Sequence, residues 1–357
     1  DISPEFAYSA DKWASLRDNV MEYGELADLV HEYNPTVRSN RSTLSDKKNQ
    51  DLTEINDKLL SDAMDLWDDA SSTDTDSYMG RMTAANLDFA GNTLAQTADK
   101  NFMDAEMYKI SYDQTEANLV FQAQQLMTTY KQSAYTMENL NANRALAQAS
   151  YEATVARQAA GMATQTEVLT SLKNVQDIDA NILSAQKSTD NVYRSLLLML
   201  GWSADSQPEI RDIPEPDLAR IGAMDPDADR EQALANNYEI KSDEHKLQNL
   251  KTNEQADATK ADLEDKRNQV YSSLKTQYNA VLDAKDALDA ANIKLQLETV
   301  NMNAASAKAA TGNISALELI QQQTSYTTAK NSVETGKMQL TLAMEKYDWI
   351  KKGLTFS

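Results

Sequence analysis

The chain contains no cysteine. Zinc-finger, thiol-nucleophile and disulfide readings are therefore closed, and the absence suits an extracytoplasmic protein that folds without disulfides. Proline (6) and glycine (9) are scarce over 357 residues. Four of the six prolines lie between Pro208 and Pro226, and none occurs from Thr36 to Gln207 or after Pro226. Proline breaks helix interiors, so these runs are open to very long helices. Apolar runs are short, the longest lying near Leu196–Leu200, against the roughly 20 residues that a bilayer span needs. No signal peptide is visible, so an exported protein would here be represented by its mature part. Basic residues are outnumbered 34 to 55, for a formal charge of −21. That argues against a nucleic-acid partner, since a phosphate backbone needs a basic patch, and against a basic module on anionic lipid. It leaves a mild bias towards cationic partners. His31 and His245 are the only histidines, and nothing places a nucleophile, base or metal around them. No catalysis and no cofactor are expected. Asp225-Pro-Asp227-Ala-Asp229 resembles the start of a calcium loop, but Arg230 and Asn236 stand where such a loop needs glycine and glutamate, so no metal is expected.

What fills the long runs is Ala, Leu, Gln, Lys, Glu, Asn and Asp, helix formers or neutral residues, with little strand propensity. Two places punctuate these runs in the same way. In Ser306–Gln323, Gly312 suits the left-handed residue that ends a helix, and Ser315-Ala-Leu-Glu318 is a capping box that starts the next one. In Val155–Leu172, Gly161 aligns with Gly312, Thr164 with Ser315, and Glu167 with Glu318. One helix stops and another starts within about three residues, so each pair lies antiparallel and side by side. Two such tips, each central to a long helical run, mark a duplication.

Along the chain, residues 11–33 read as one short amphipathic helix, with Asn34-Pro35 opening the next and Pro35 at its first turn. Helical pattern continues to about Ala70. Residues 71–100 begin with a polar break and contain Gly80 and Gly91; loop, short helices and a degenerate hairpin all remain open there. A long helix spans about Asn101–Ala160, with a seam through Leu119, Ala123, Leu126, Tyr130, Ser133, Met137 and Leu140. A return helix runs from Thr164 to Leu200, ended by Gly201. Residues 202–225 form a proline-rich connector, and Asp225-Pro226 reads as the N-cap and first position of the following helix, which extends to about residue 258; a turn is open within Thr252–Glu264. Leu263–Ala310 then carries the cleanest coiled-coil signal, with Leu274, Val281, Leu288, Leu295 and Met302 seven apart. A seven-residue repeat imposes a left-handed supercoil. The partner line holds Val270, Gln277, Ala284, Ala291, Glu298 and Ala305. Tyr130, Tyr151, Tyr271 and Tyr278 sit at seam-like positions and are expected in the packing.

The halves also match before their tips: Asn34-Pro-Thr-Val-Arg-Ser39 resembles Asn237-Tyr-Glu-Ile-Lys-Ser242. Asn34 to Gly161 is 127 positions and Asn237 to Gly312 is 75, so the first half carries 52 extra residues. This order of elements resembles the TolC-like outer membrane efflux protein family. The helix openings are Leu29-Val-His-Glu-Tyr-Asn-Pro-Thr-Val37 and Ala233-Leu-Ala-Asn-Asn-Tyr-Glu-Ile240, and the tips are Gly161–Val168 and Gly312–Leu319. The resemblance implies a homotrimeric conduit whose tips dock on a membrane-fusion adaptor, and through it an ABC-type or other transporter. The family's members place a β-hairpin between the two long helices of each repeat. Here no alternating ten-residue strands with aromatic girdles appear, so the chain resembles a member without the membrane barrel.

The fold expected is thus all-α: an elongated bundle of long antiparallel coiled-coil helices, made of two tandem αα-hairpin repeats. Residues 1–201 form the first repeat, 202–225 the connector and 226–357 the second repeat. The expected partner-binding residues at the first tip are Gly161, Met162, Ala163, Thr164 and Glu167. Those at the second are Gly312, Asn313, Ile314, Ser315 and Glu318. The function expected is a non-enzymatic component of an efflux or secretion assembly in the cell envelope, without a direct membrane span. The alternative is a monomeric extracytoplasmic scaffold that keeps this fold without forming a pore.

Overall fold

The computed structural model describes residues 8–250 and 253–356. The described residues are helical almost throughout, and their strand content is two short pieces, β1 (Val20–Met21) and β2 (Glu209–Ile210). The helices are α1 (Ala10–Leu16), α2 (Leu26–Tyr33), α3 (Pro35–Lys47), α4 (Leu52–Ser72), α5 (Tyr78–Lys100), α6 (Ala105–Ala159), α7 (Gln165–Met199), α8 (Leu218–Ala223), α9 (Arg230–Asn236), α10 (Tyr238–Asn249), α11 (Asn253–Ala310) and α12 (Ala316–Lys351). The chain packs as two compact units, each drawing on both halves of the sequence. One comprises the chain up to Pro35, Asn118–Pro226 and Leu274–Trp349; the other comprises Thr36–Ala117, Asp227–Ser273 and the end from Ile350.

In the first unit, contacts string four long helices in the order α7, α6, α12, α11. Tyr130 of α6 stacks on Tyr193 of α7 at 5.3 Å between ring centres. Between α6 and α12, the fully buried Asn331 amide donates to Asn139 Oδ1 at 2.9 Å, and Trp349 Nε1 donates to Gln124 Oε1 at 2.7 Å. Between α12 and α11, Gln277 Nε2 donates to the Ala343 carbonyl at 2.9 Å, and Gln322 Nε2 to Glu298 at 2.7 Å. The expected seven-residue seam is buried over its first three members: Leu274, Val281 and Leu288 are in the core, and Leu295 and Met302, nearer the tip, are half-buried. Each fully buried leucine or valine contributes about 1.5–3 kcal/mol relative to exposure.

The seam expected on α6 is only half of that helix's packing. Ala123 is buried, but Leu119, Leu126, Tyr130, Ser133, Met137 and Leu140 are half-buried, while Val120, Phe121 and Met127 beside them are buried. A helix with neighbours on both sides needs two seams, and a single heptad line describes one of them.

Residues 11–33 are not one helix. The Asp18 carboxylate accepts from the Val20 N–H at 2.8 Å, which turns the chain out of α1. Val20–Met21 then pairs in parallel with Glu209–Ile210, with the Glu209 N–H donating to the Asn19 carbonyl at 2.8 Å and the Arg211 N–H to the Met21 carbonyl at 2.9 Å. A short 3-10 turn, Tyr23–Glu25, leads into α2.

In the second unit, residues 71–100 resolve into a helical hairpin. Asp51 caps α4, accepting from the N–H groups of Thr53 (2.8 Å) and Glu54 (3.2 Å), so the helical pattern expected without interruption from Thr36 to Ala70 breaks between Lys47 and Leu52. Ser77 caps α5, accepting from the Gly80 N–H at 2.9 Å. Gly91 lies against Trp67, whose indole would stand 2.6 Å from a Cβ there. Asn56 and Asn101 close the base of the hairpin with two mutual hydrogen bonds of 3.0 and 2.9 Å. This hairpin accounts for the surplus of the first half, because in the second half α10 gives way to α11 within residues 250–252, two of which lie outside the described residues. The turn left open within Thr252–Glu264 is absent from Asn253 on, where α11 is continuous; Thr252 itself lies outside the described residues.

Asp225-Pro226 does not start a helix. Both precede α9, whose N-cap is Asp229, and the helix that follows them is not continuous to residue 258 but is divided into α9, α10 and the start of α11. The acids of this segment have partners: Tyr271 donates its hydroxyl hydrogen to Asp227, and Lys351 pairs with Asp229 at 2.8 Å.

Candidate docking site at the hairpin tips

Both tips lie in the first unit, and they match bond for bond. At the end of α6, Gly161 adopts φ 72°; its N–H donates to the Gln158 carbonyl at 2.8 Å, and the Met162 N–H donates to the Arg157 carbonyl at 2.7 Å. At the end of α11, Gly312 adopts φ 70°; its N–H donates to Ala309 at 3.0 Å, and the Asn313 N–H to Lys308 at 2.8 Å. This pair of bonds closes the last carbonyls of a helix around a left-handed residue, a conformation that costs glycine nothing. Four backbone groups that would otherwise need water are thereby satisfied in each tip.

The next helix starts just as similarly. Thr164 Oγ1 accepts from the Glu167 N–H at 3.2 Å, and Glu167 Oε2 accepts from the Thr164 N–H at 2.7 Å. Ser315 Oγ accepts from the Glu318 N–H at 3.2 Å, and Glu318 Oε2 accepts from the Ser315 N–H at 2.8 Å. The backbone and hydroxyl bonds from Thr164 and Ser315 hold both carboxyls below the usual carboxylate range.

Of the expected tip residues, Gly161, Met162, Thr164, Glu167, Gly312, Asn313, Ser315 and Glu318 are exposed, while Ala163 and Ile314 are half-buried. The two tips differ in chemistry where they are otherwise alike: the first presents the Met162 side chain, the second an Asn313 amide that donates to Thr311 Oγ1 at 2.8 Å. Beside the first tip a polar groove of about 640 Å³ runs between α6 and α7, lined by Ser150, Thr154, Arg157, Thr170, Asn174 and Asp177 among others.

Sequence reading overlooked the outer faces of the two edge helices. On α11, Ile293, Leu297 and Val300 are 57–68% exposed and lie on the face opposite the buried Leu274–Val281–Leu288 seam. Ala290 and Ala304 extend the same face. On α7, Leu169 and Leu183 are more than half exposed. The spacing of 293, 297 and 300 (i, i+4, i+7) was a readable signal of a second apolar stripe.

His245 stands at a structural joint. Its Nε2 lies 2.6 Å from Asp104 Oδ2, and Asp104 also accepts from the Met107 N–H at 3.0 Å and the Asn249 amide at 2.8 Å, tying α10 to the start of α6. His31 is buried beside Glu32, at 3.6 Å.

Long antiparallel helices in two hairpins with matched tips, chained in the order α7, α6, α12, α11, define the architecture. The fold is that of the TolC-like outer membrane channels. The CmeC outer membrane channel of Campylobacter jejuni aligns with a TM-score of 0.59 at 9% identity, covering 98% of this chain and 89% of that one. The outer membrane protein VceC of Vibrio cholerae aligns at 0.53 with 11% identity, over 93% and 96% of the two chains. A membrane protein from Pseudomonas aeruginosa aligns at 0.54 with 11% identity, over 92% and 93%. No protein-family profile matches the sequence, and neither does any curated protein. Within the TolC-like architecture, the position between α3 and α6 where a strand hairpin was to be sought holds the helical hairpin α4–α5, and the described residues contain no barrel strands. Among them, too, no helix is long and apolar enough to cross a membrane.

Proposed function

We propose that the chain is a non-enzymatic component of an efflux or secretion conduit in the cell envelope, assembled from several copies and docked through its tips to a membrane-fusion adaptor that serves a transporter. The observation that carries this reading is the exposed stripe of Ile293, Leu297 and Val300 on α11. An edge helix with apolar side chains on both faces suits a palisade that continues into the next copy. The opposite edge supplies a matching surface: α7 offers Leu169 and Leu183 with Lys187, and α11 offers its stripe with Asp286. An edge-to-edge contact of unlike faces generates a ring when its rotation closes, and a homotrimer is the ring we expect.

The tips support the docking half of the proposal. Each is a rigid, fully capped turn whose exposed atoms cost little to order on binding. The conduit reading is tested by static light scattering of the full chain at several concentrations without detergent, and by capture of an adaptor's helical hairpin. Assembly beyond a pair of chains that is lost in Leu297→Asp, with adaptor capture lost in Met162→Asp combined with Ile314→Asp, supports it. A chain that stays monomeric with or without adaptor favours the scaffold reading instead.

A further inference from the structure

The hairpin α4–α5 has two outer faces of opposite character. On α4, Glu54, Asp57, Asp62, Asp65, Asp68 and Asp69 are all exposed. On α5, the side turned away from Gly91 and Ala98 carries Tyr78, Met82, Ala85 and Phe89 at spacings of four, three and four. Tyr78, Met82 and Phe89, with Met79 at their flank, are 45–75% exposed. Between Met82 and Ala98 the helix holds one charged residue, Asp88. The seam inside the hairpin has mostly small buried members, Ala63, Ala70, Gly91 and Ala98 with Asn56 at its base, and Leu59, Leu66, Leu87 and Leu94 are half-buried.

We propose that the Tyr78–Met82–Ala85–Phe89 stripe packs against the same stripe of another copy of this chain. Area favours it: four exposed large apolar side chains amount to on the order of 500 Å² on each copy. A pair would bury about 1,000 Å², the lower bound of a specific interface. Charge selects the occupant. Copies with a net charge of −21 repel through α4, whereas α5 brings an almost uncharged face to an identical one. The same carboxylates on α4 repel an anionic bilayer. Stability points the same way, since a two-helix seam whose leucines are only half-buried and whose buried members are mostly alanine and glycine buries little and gains from a second covered face. This contact is separate from the α7–α11 edge contact of the conduit reading and does not rest on it.

The cysteine-free chain makes the test direct. Ala85 lies near the middle of the stripe, so it meets its counterpart in either orientation, and a disulfide needs Cα atoms within about 7 Å. Full-length Ala85→Cys, oxidised at micromolar concentration and run on a non-reducing gel, is expected to convert mostly to a linked dimer. Asp65→Cys on the acidic face is expected to stay unlinked. Adding Phe89→Asp to Ala85→Cys is expected to cut the linked fraction at least tenfold. Equal linking at positions 85 and 65, or linking that survives Phe89→Asp, overturns the proposal. So does flotation of the full chain with phosphatidylcholine vesicles that is abolished by Phe89→Asp, which would assign the stripe to lipid. Leu183→Cys mixed with Ile293→Cys reports the edge contact separately. Linking there without linking at position 85 removes this inference and leaves the conduit; the reverse result removes the conduit and leaves this inference.

Discussion

Leu274 and Leu297 sit on the same helix, α11, and on opposite faces of it. Leu274 is fully buried in the seam with α12, whereas Leu297 is 57% exposed. Truncating each to alanine removes the same atoms, so the difference in cost measures the difference in surroundings. At Leu274 the loss combines transfer and cavity contributions, about 2–5 kcal/mol for a leucine in a packed interior. At Leu297 in the dilute single chain, an exposed substitution away from caps and networks is worth about 0.5 kcal/mol or less. Urea unfolding followed by helical circular dichroism at low protein concentration reads both. The expected result is a large drop in midpoint for Leu274→Ala and almost none for Leu297→Ala, with unchanged slopes. Equal costs would refute the reasoning, because they would mean that the outer stripe is already covered within one chain. A negligible cost at Leu274 would show that the seven-residue line is not the core seam.

Other consequences follow from individual contacts. Burial pushes the Asp104 carboxyl up, but the Met107 N–H, the Asn249 amide and His245 outweigh it, so it ends below the usual carboxylate range. A depressed carboxyl stabilises above its unfolded pKa, and that contribution is lost as pH falls through the folded value. Thermal melts between pH 6 and pH 3 are expected to show an acid loss that is smaller in Asp104→Asn, whose stability at pH 6 is lower by about 1–3 kcal/mol; identical pH profiles would contradict this. Replacing Thr164 or Ser315 by alanine removes an N-cap worth about 0.5–2 kcal/mol, and is expected to raise amide exchange at residues 165–168 or 316–319 while leaving the distant seam protected. Gly91→Val places a branched side chain where a Cβ alone would stand 2.6 Å from the Trp67 indole. It is expected to cost about 1–3 kcal/mol by overpacking and to change Trp67 fluorescence, measured with the other three tryptophans replaced by phenylalanine.

The parts of this fold legible in the sequence were those set by local rules. Gly161 with Thr164 and Glu167, and Gly312 with Ser315 and Glu318, announce helix end and helix start through bonds spanning three to five residues. The α11 seam repeats every seven. Asn34 and Asn237, aligned across the halves, each donate an amide to the carbonyl that ends an ascending segment: Met199 at 2.8 Å and Gly353 at 3.2 Å. What local pattern could not reveal depends on distant partners. Val20–Met21 is a strand because Glu209–Ile210 lies beside it, and nothing within residues 11–33 encodes that. In α5, a segment with Gly80 and Gly91 left loop, short helices and a hairpin all open, but Gly91 is a contact point for Trp67 on another helix. The outer stripe of α11 was present in the sequence and was masked by the stronger inner heptad. At the tips, geometry was legible and partner chemistry was not, since capping atoms are satisfied whether or not anything docks.

The central claim is that the exposed edges of α7 and α11 join copies of this chain. Light scattering of the detergent-free chain across a hundredfold concentration range tests it most directly. In the Phe89→Asp chain, which lacks the separate α5 contact, the mass is expected to rise with concentration towards three times the 39.7 kDa of one chain, and to fall back to one chain when Leu297→Asp is added. A constant 39.7 kDa across the range, or an assembly indifferent to Leu297→Asp, would contradict it.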